Sequence, residues 1–146
     1  MTDVSWRATL AGIVLMVPVV LSGCGSVFPV ECPAIGWSNT IVVTGPADGV
    51  SAVDLCDERG CAAESARRPD LLGIQPPSVD GTVWTFSLPD MSTPDVISVR
   101  ATGTDGAVLV REGIAVEWTR VGGSEQCGGP GEARMDLEAV LSSTRS

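Results

Sequence analysis

The stretch TVWTFSL, residues 82–88, alternates without a break. Val83, Thr85 and Ser87 fall on one side, and Trp84, Phe86 and Leu88 on the other. A period of two marks an extended strand with one buried face, because successive side chains leave the backbone in opposite directions. The same period returns in DVISVRAT (95–102), where Ile97, Val99 and Ala101 share a face. It returns in IAVEWTRV (114–121), where Ile114, Val116 and Trp118 oppose Glu117 and Thr119. WSNTIVVTG (37–45), VSAVDLC (50–56) and AVLVRE (107–112) are further strand candidates, rich in β-branched residues. Turn signals separate these runs: Pro46 to Gly49, Pro76-Pro77, Asp80-Gly81, Pro89-Asp90 and Thr104-Asp105-Gly106. Asp-Gly tolerates the positive φ that tight hairpins need.

The segment EARMDLEAVL, 132–141, is made of good helix formers, yet its apolar residues alternate, and it is predicted as a last strand. Seven short strands spaced by turns predict an all-β fold, a single immunoglobulin-like β-sandwich over residues 32–141. Ile41, Trp84, Phe86, Ile97, Val99, Val116, Trp118 and Leu137 are the expected core. SSTRS, 142–146, is expected to be a disordered tail.

The N-terminus follows another rule. Arg7 is the one cation before an apolar core from Leu10 to Leu21, and Leu-Ser-Gly-Cys follows. Twelve residues fall short of the roughly 20 that a spanning helix requires. A cationic start, an apolar core and a small-residue exit have the layout of a secretory signal. The exit, Leu21 to Cys24, resembles the bacterial lipoprotein signal. That resemblance implies a signal peptide over 1–23, cleavage before Cys24, and a lipidated Cys24 opening a tether over 24–31. Membrane lipid, through Cys24, is thus the first expected partner, and two acyl chains would make the anchoring stable.

Cysteine parity agrees. Five cysteines leave one over in an exported chain. With Cys24 on lipid, Cys32, Cys56, Cys61 and Cys127 can form two disulfides in an oxidising compartment. Four cysteines allow three pairings. Cys56 and Cys61 flank a four-residue turn and are expected to bond across a hairpin, which leaves Cys32 for Cys127. A zinc site would show two C-x2-4-C pairs, and a redox pair C-x-x-C; the chain has one C-x4-C, Cys56–Cys61, two distant single cysteines and no C-x-x-C.

Composition excludes more than it specifies. Net charge is −9, and removal of residues 1–23 takes away one Arg and one Asp, so the remainder keeps that charge. Such a domain would repel phosphates, so no nucleic-acid partner is expected. The chain holds no His, Lys or Tyr, and all nine cations are Arg. Ser-His, Cys-His and Ser-Lys pairs cannot be built from it. No glycine-rich phosphate loop precedes a helix pattern. Neither a cofactor nor a metal is expected.

Several segments together are similar to a family of small lipoproteins from high-GC actinobacteria: LSGC, CPAIGWSNT, LCDERGC, WTFSL, ATGTDGAVLVREGIAVEW and SEQCGGPGEA. The resemblance implies location and fold and brings no activity with it. Two functions stay open. The first is a membrane-anchored, non-enzymatic binding or structural module on the outer face of the cell membrane, meeting an envelope protein or a wall polymer. The second is a small carboxylate-dependent hydrolase acting on cell-wall glycan. The loops expected to carry contacts are 57–60, 64–81 and 122–131, with Arg67 and Arg68 able to meet an anionic group.

Overall fold

A computed structural model of the chain describes residues 31–46, 48–68, 70 and 73–143. The expected signal peptide, Cys24 and all of the expected tether but Glu31 lie outside the described residues. Nine strands and two short helices follow in order among those described: β1 (Asn39–Thr44), β2 (Val50–Asp57), β3 (Gly60–Cys61), α1 (Ala62–Ser65), β4 (Ser78–Asp80), β5 (Val83–Leu88), β6 (Val96–Gly103), β7 (Val108–Ala115), β8 (Thr119–Arg120), β9 (Gly131–Asp136) and α2 (Leu137–Ser142). Strand makes up 47% and helix 9%, and the strands divide into two sheets, so the chain is the all-β sandwich that the alternation predicts. One sheet has the order β4-β5-β1-β9-β8 and the other β3-β2-β6-β7.

β1 is central in the first sheet, antiparallel to β5 and parallel to β9. Its NTIVVT sequence fits that place, with Ile41, Val42 and Val43 all buried. Trp84, Phe86 and Leu88 of β5 bury the face that the alternation assigns to them. Val53 and Leu55 of β2 and Ile97, Val99 and Ala101 of β6 meet them from the second sheet. Full burial of one such aliphatic or aromatic side chain is worth about 1.5–3 kcal/mol. Seven of the eight expected core residues are buried. Trp118 is only half-buried, packing on the core while its indole Nε1 donates to the Pro94 carbonyl, 3.1 Å away.

The structure departs from the sequence reading in three places. β7 runs through Gly113 to Ala115, joining residues that the sequence divides between two strands. A bulge lets it do so: the register on β6 shifts between Ile97 and Val99, and Gly113 takes φ 71° at that point. Val116 and Trp118 then follow β7 outside any strand, and the chain crosses to the first sheet as β8 at Thr119.

The predicted last strand ends at Asp136 and becomes α2. Asp136 explains the change. Its Oδ1 accepts from the Ala139 amide at 2.8 Å and caps the helix. From there Leu137 reaches full burial, a position that either geometry could supply.

The third departure is the short α1 after the Cys56–Cys61 hairpin, with β4 beyond it, inside a region expected to be loop. Asp54 supports α1 by accepting from the Ala63 amide at 3.0 Å. No helix among the described residues is long and apolar enough to cross a membrane.

Candidate functional site

Both expected disulfides form. Cys32 bonds Cys127 across a sequence separation of 95, and Cys56 bonds Cys61 across 5. The second sits directly across a β2–β3 pair, Cys56 opposite Cys61, as the hairpin reading requires. Asp54 brings a carboxylate within 4.8 Å of both sulfurs. That trio is a poor metal centre as it stands, since thiolates ligate metals and these sulfurs are bonded to each other. The carboxylate also already caps α1.

The β2–β3 turn forms one wall of a cleft of about 680 Å³. The opposite wall is the β5–β6 loop, residues 89–95, which leads into the start of β6. Three sequence-local devices shape these walls. Asp57 accepts from the Arg59 amide at 2.8 Å, closing an Asx turn. Gly60 takes φ 139° so that the turn can close back on the disulfide. Asp90 accepts from the Ser92 amide and hydroxyl at 3.2 and 2.7 Å, a second Asx turn.

Arg59 joins the two walls. Its Nε and Nη2 donate to Asp57 Oδ2 at 3.0 and 2.7 Å, Nη2 also donates to the Ser92 hydroxyl at 2.8 Å, and Nη1 pairs with Asp90. The Asp57 side chain is only 2% exposed, so this carboxylate depends on its partners. Hydrogen bonding to Asp57 holds the Arg59 guanidinium more firmly protonated than usual, against an opposing effect of burial. Burial pushes the Asp90 carboxyl up, but hydrogen bonds from Ser92 and Arg59 outweigh it, and its pKa falls below the ordinary value.

The 89–95 loop is pinned from behind as well. Asn39, 1% exposed, donates from Nδ2 to the carbonyls of Met91 and Ser92 at 2.9 and 2.8 Å. Its Oδ1 accepts from the Gly131 amide at 2.7 Å. One buried amide therefore ties the start of β1, the cleft wall and the start of β9 together. Trp118 holds Pro94, and the Val116 amide donates to the Asp95 carbonyl at 2.9 Å. Met91 is held at φ 62°, a strained conformation for a residue with a side chain.

Of the loops singled out from sequence, 57–60 lines this cleft, while the described residues of 64–81 and 122–131 do not. Arg67 and Arg68 are exposed beyond α1, and Arg68 pairs with Asp70 at 3.2 Å. The structure brings neither into the cleft. The 122–131 loop folds tightly on itself under the Cys32–Cys127 bond. A Cβ at Gly123 would lie 1.9 Å from the Gly128 carbonyl oxygen, so only glycine fits there.

Sequence reasoning missed Asn39, Asp90 and Ser92. The Asp90-Met-Ser92 spacing carried an Asx-turn signal. Nothing local announced that Arg59 would reach across 31 residues to meet it. As chemistry, the cluster is a closed set of charges holding two loops at a fixed separation. Compared with models of known protein families, with curated proteins and with solved structures, the chain matches none.

Proposed function

We propose that the chain is a lipid-anchored protein on the outer face of the cell membrane, its β-sandwich serving as a non-enzymatic binding or structural module of the envelope. The observation that carries this reading is the cysteine pairing. Four of the five cysteines are consumed by two disulfides, and the remaining one is Cys24, directly behind the apolar core. Disulfides persist in an oxidising compartment, which fits export. The resemblance to small actinobacterial lipoproteins points the same way. The cleft between the β2–β3 turn and the 89–95 loop is the proposed contact site for an envelope protein or wall polymer. Its walls are held in place before any partner arrives, which lowers the ordering cost of binding.

The competing reading is a glycan hydrolase using two carboxylates. Such an enzyme needs one acid with a raised pKa and a gap between the pair for the scissile bond. Asp90 moves in the opposite direction, and the Arg59 guanidinium fills the space between Asp57 and Asp90. Both observations favour the binding module.

Cys24→Ala tests the anchor. The wild-type chain is expected in the membrane fraction, carrying radiolabel from a fed fatty acid. The variant is expected to lose the label and to leave that fraction. Retention of the unlabelled variant in the membrane at wild-type levels would defeat the proposal.

A further inference from the structure

The four sheet edges are treated unequally. β4, β3 and β8 are three, two and two residues long, too short to template another strand, although β3 pairs with only Cys56 and Asp57 of the eight-residue β2. β7 is eight residues long and closes the second sheet. From Arg111 onward it is guarded. Gly113 carries a bulge, and Arg111 lies opposite the core residue Val99 and donates to the Leu141 carbonyl of α2 at 2.7 Å. A bulge and an inward-facing charge are two recognised ways to blunt an edge. The three residues before Arg111 have neither of their own. Val108, Leu109 and Val110 are 52%, 51% and 43% exposed, and no strand among the described residues pairs with their outer side.

The hairpin fixes which backbone groups point outward. Gly103 donates to the Ala107 carbonyl at 2.7 Å, so that pair is hydrogen-bonded. Antiparallel pairs alternate between bonded and non-bonded. Ala101 and Leu109 are therefore a bonded pair, whereas Val108 opposite Thr102 and Val110 opposite Arg100 are not. The amide and carbonyl of Val108 and of Val110 thus face the open edge, where the Val110 carbonyl already accepts from Arg111 Nη1 at 3.2 Å.

We propose that this half-strand is a homodimer seam, in which β7 pairs antiparallel with β7 of a second copy about a twofold axis at Leu109. In that register Val108 lies opposite the second copy's Val110, and both residues offer outward-facing backbone groups. Two such pairs make four hydrogen bonds, the two at the Val110 carbonyls shared with Arg111 Nη1 or displacing it, with Leu109 against Leu109 between them. Every exposed apolar side chain of the segment meets another. The charges agree: Arg111 falls opposite Ala107 and diagonal to Asp105 of the second copy, and no like charges face each other. Shifting the centre to Val110 would set Val108 against Glu112, and shifting it to Val108 would set Val110 against Gly106. A five-residue seam buries less than the roughly 1,200 Å² of a standard interface, so the dimer is weak, with a Kd on the order of 100 μM. The proposal does not depend on the lipid anchor.

Sedimentation of the mature chain in density-matched detergent, from 10 μM to 1 mM, tests it. Wild type is expected to dimerise. Val110→Pro removes an outward amide, and Val110→Lys puts a charge on the seam; each is expected to weaken dimerisation at least tenfold. The Val110 backbone faces the open edge and its side chain is exposed, so near-ultraviolet circular dichroism of the monomer is expected to stay unchanged, and the lysine variant serves if proline disturbs the strand. A wild type monomeric at 1 mM overturns the proposal, and so does dimerisation that both variants retain. Hydrogen exchange on the dilute monomer adds a further check. Protected Val108 and Val110 amides would mean that a segment of the chain itself covers the edge, which also overturns it.

Discussion

The 89–95 loop and the first half of β7 belong to neighbouring parts of one sandwich and are held in opposite ways. The loop is polar and irregular, yet Asn39, Arg59, Trp118 and Val116 each anchor part of it. The strand segment is regular and apolar, yet its outer edge is unpaired among the described residues. Regular secondary structure is therefore a poor guide to which surface is finished. The loop resembles a socket already set, and the strand a surface awaiting a partner.

The largest expected effect concerns the scaffold beneath the socket. Closing the 95-residue span contributes about 5 kcal/mol in the chain-entropy model, against about 2 kcal/mol for the short Cys56–Cys61 loop. Cys32→Ser with Cys127→Ser is expected to abolish cooperative thermal unfolding at 37 °C. Cys56→Ser with Cys61→Ser is expected to lower the midpoint and leave the transition intact. Equal losses from the two double variants would show that loop length does not set their ranking.

Next comes Asn39→Ala. It strands the Gly131 amide and two loop carbonyls, each costing about 1–3 kcal/mol unless water reaches it. A loss of about 3 kcal/mol is expected by urea unfolding. Hydrogen exchange should rise in the loop and stay the same at Val108 and Val110, which would narrow the contrast between the two regions by removing its cause.

Arg59→Ala comes third. It leaves Asp57 nearly buried without its guanidinium, although the turn amide still reaches the carboxylate. Because Arg59 is one-third exposed, about 1–2 kcal/mol is expected, well under the cost of breaking a fully buried pair.

Asp90→Asn is smaller at neutral pH, within about 1 kcal/mol. Its signature is the pH dependence. The folded-state pKa of Asp90 lies below its ordinary value. Its stabilising contribution is therefore complete above the unfolded-chain value near 4, and is lost as pH falls through the folded value. The variant is expected to flatten that acid limb in a stability-versus-pH series. An unchanged limb would place the acid sensitivity elsewhere. Smallest of all, Met91→Gly relieves a positive φ and is expected to shift stability by under about 1 kcal/mol, in the stabilising direction.

The sequence made the sandwich legible because burial on one face imposes a period of two, and Trp84, Phe86 and Leu88 have no other way to share a face. The cysteine pairing was legible because a four-residue turn brings its flanking residues together. The switch at Asp136 was hidden. Alternation and helix propensity disagree over 132–141, and the deciding event is one carboxylate capping Ala139. The site was half legible. The turn at 57–60 announced itself locally, while Asn39 looks like any polar residue before a strand until its partners at 91, 92 and 131 are seen. Contacts spanning 31 to 92 residues leave no local trace.

The reading as a lipid-anchored exported module stands or falls on the state of five sulfurs. Intact-mass measurement of the native chain, with alkylation before and after reduction, reads all five at once. The expected result is a chain starting at Cys24 with an acyl-bearing adduct, no alkylation before reduction and four additions after it. A mature chain whose Cys24 is unmodified, or one whose other cysteines alkylate without reduction, would contradict the account.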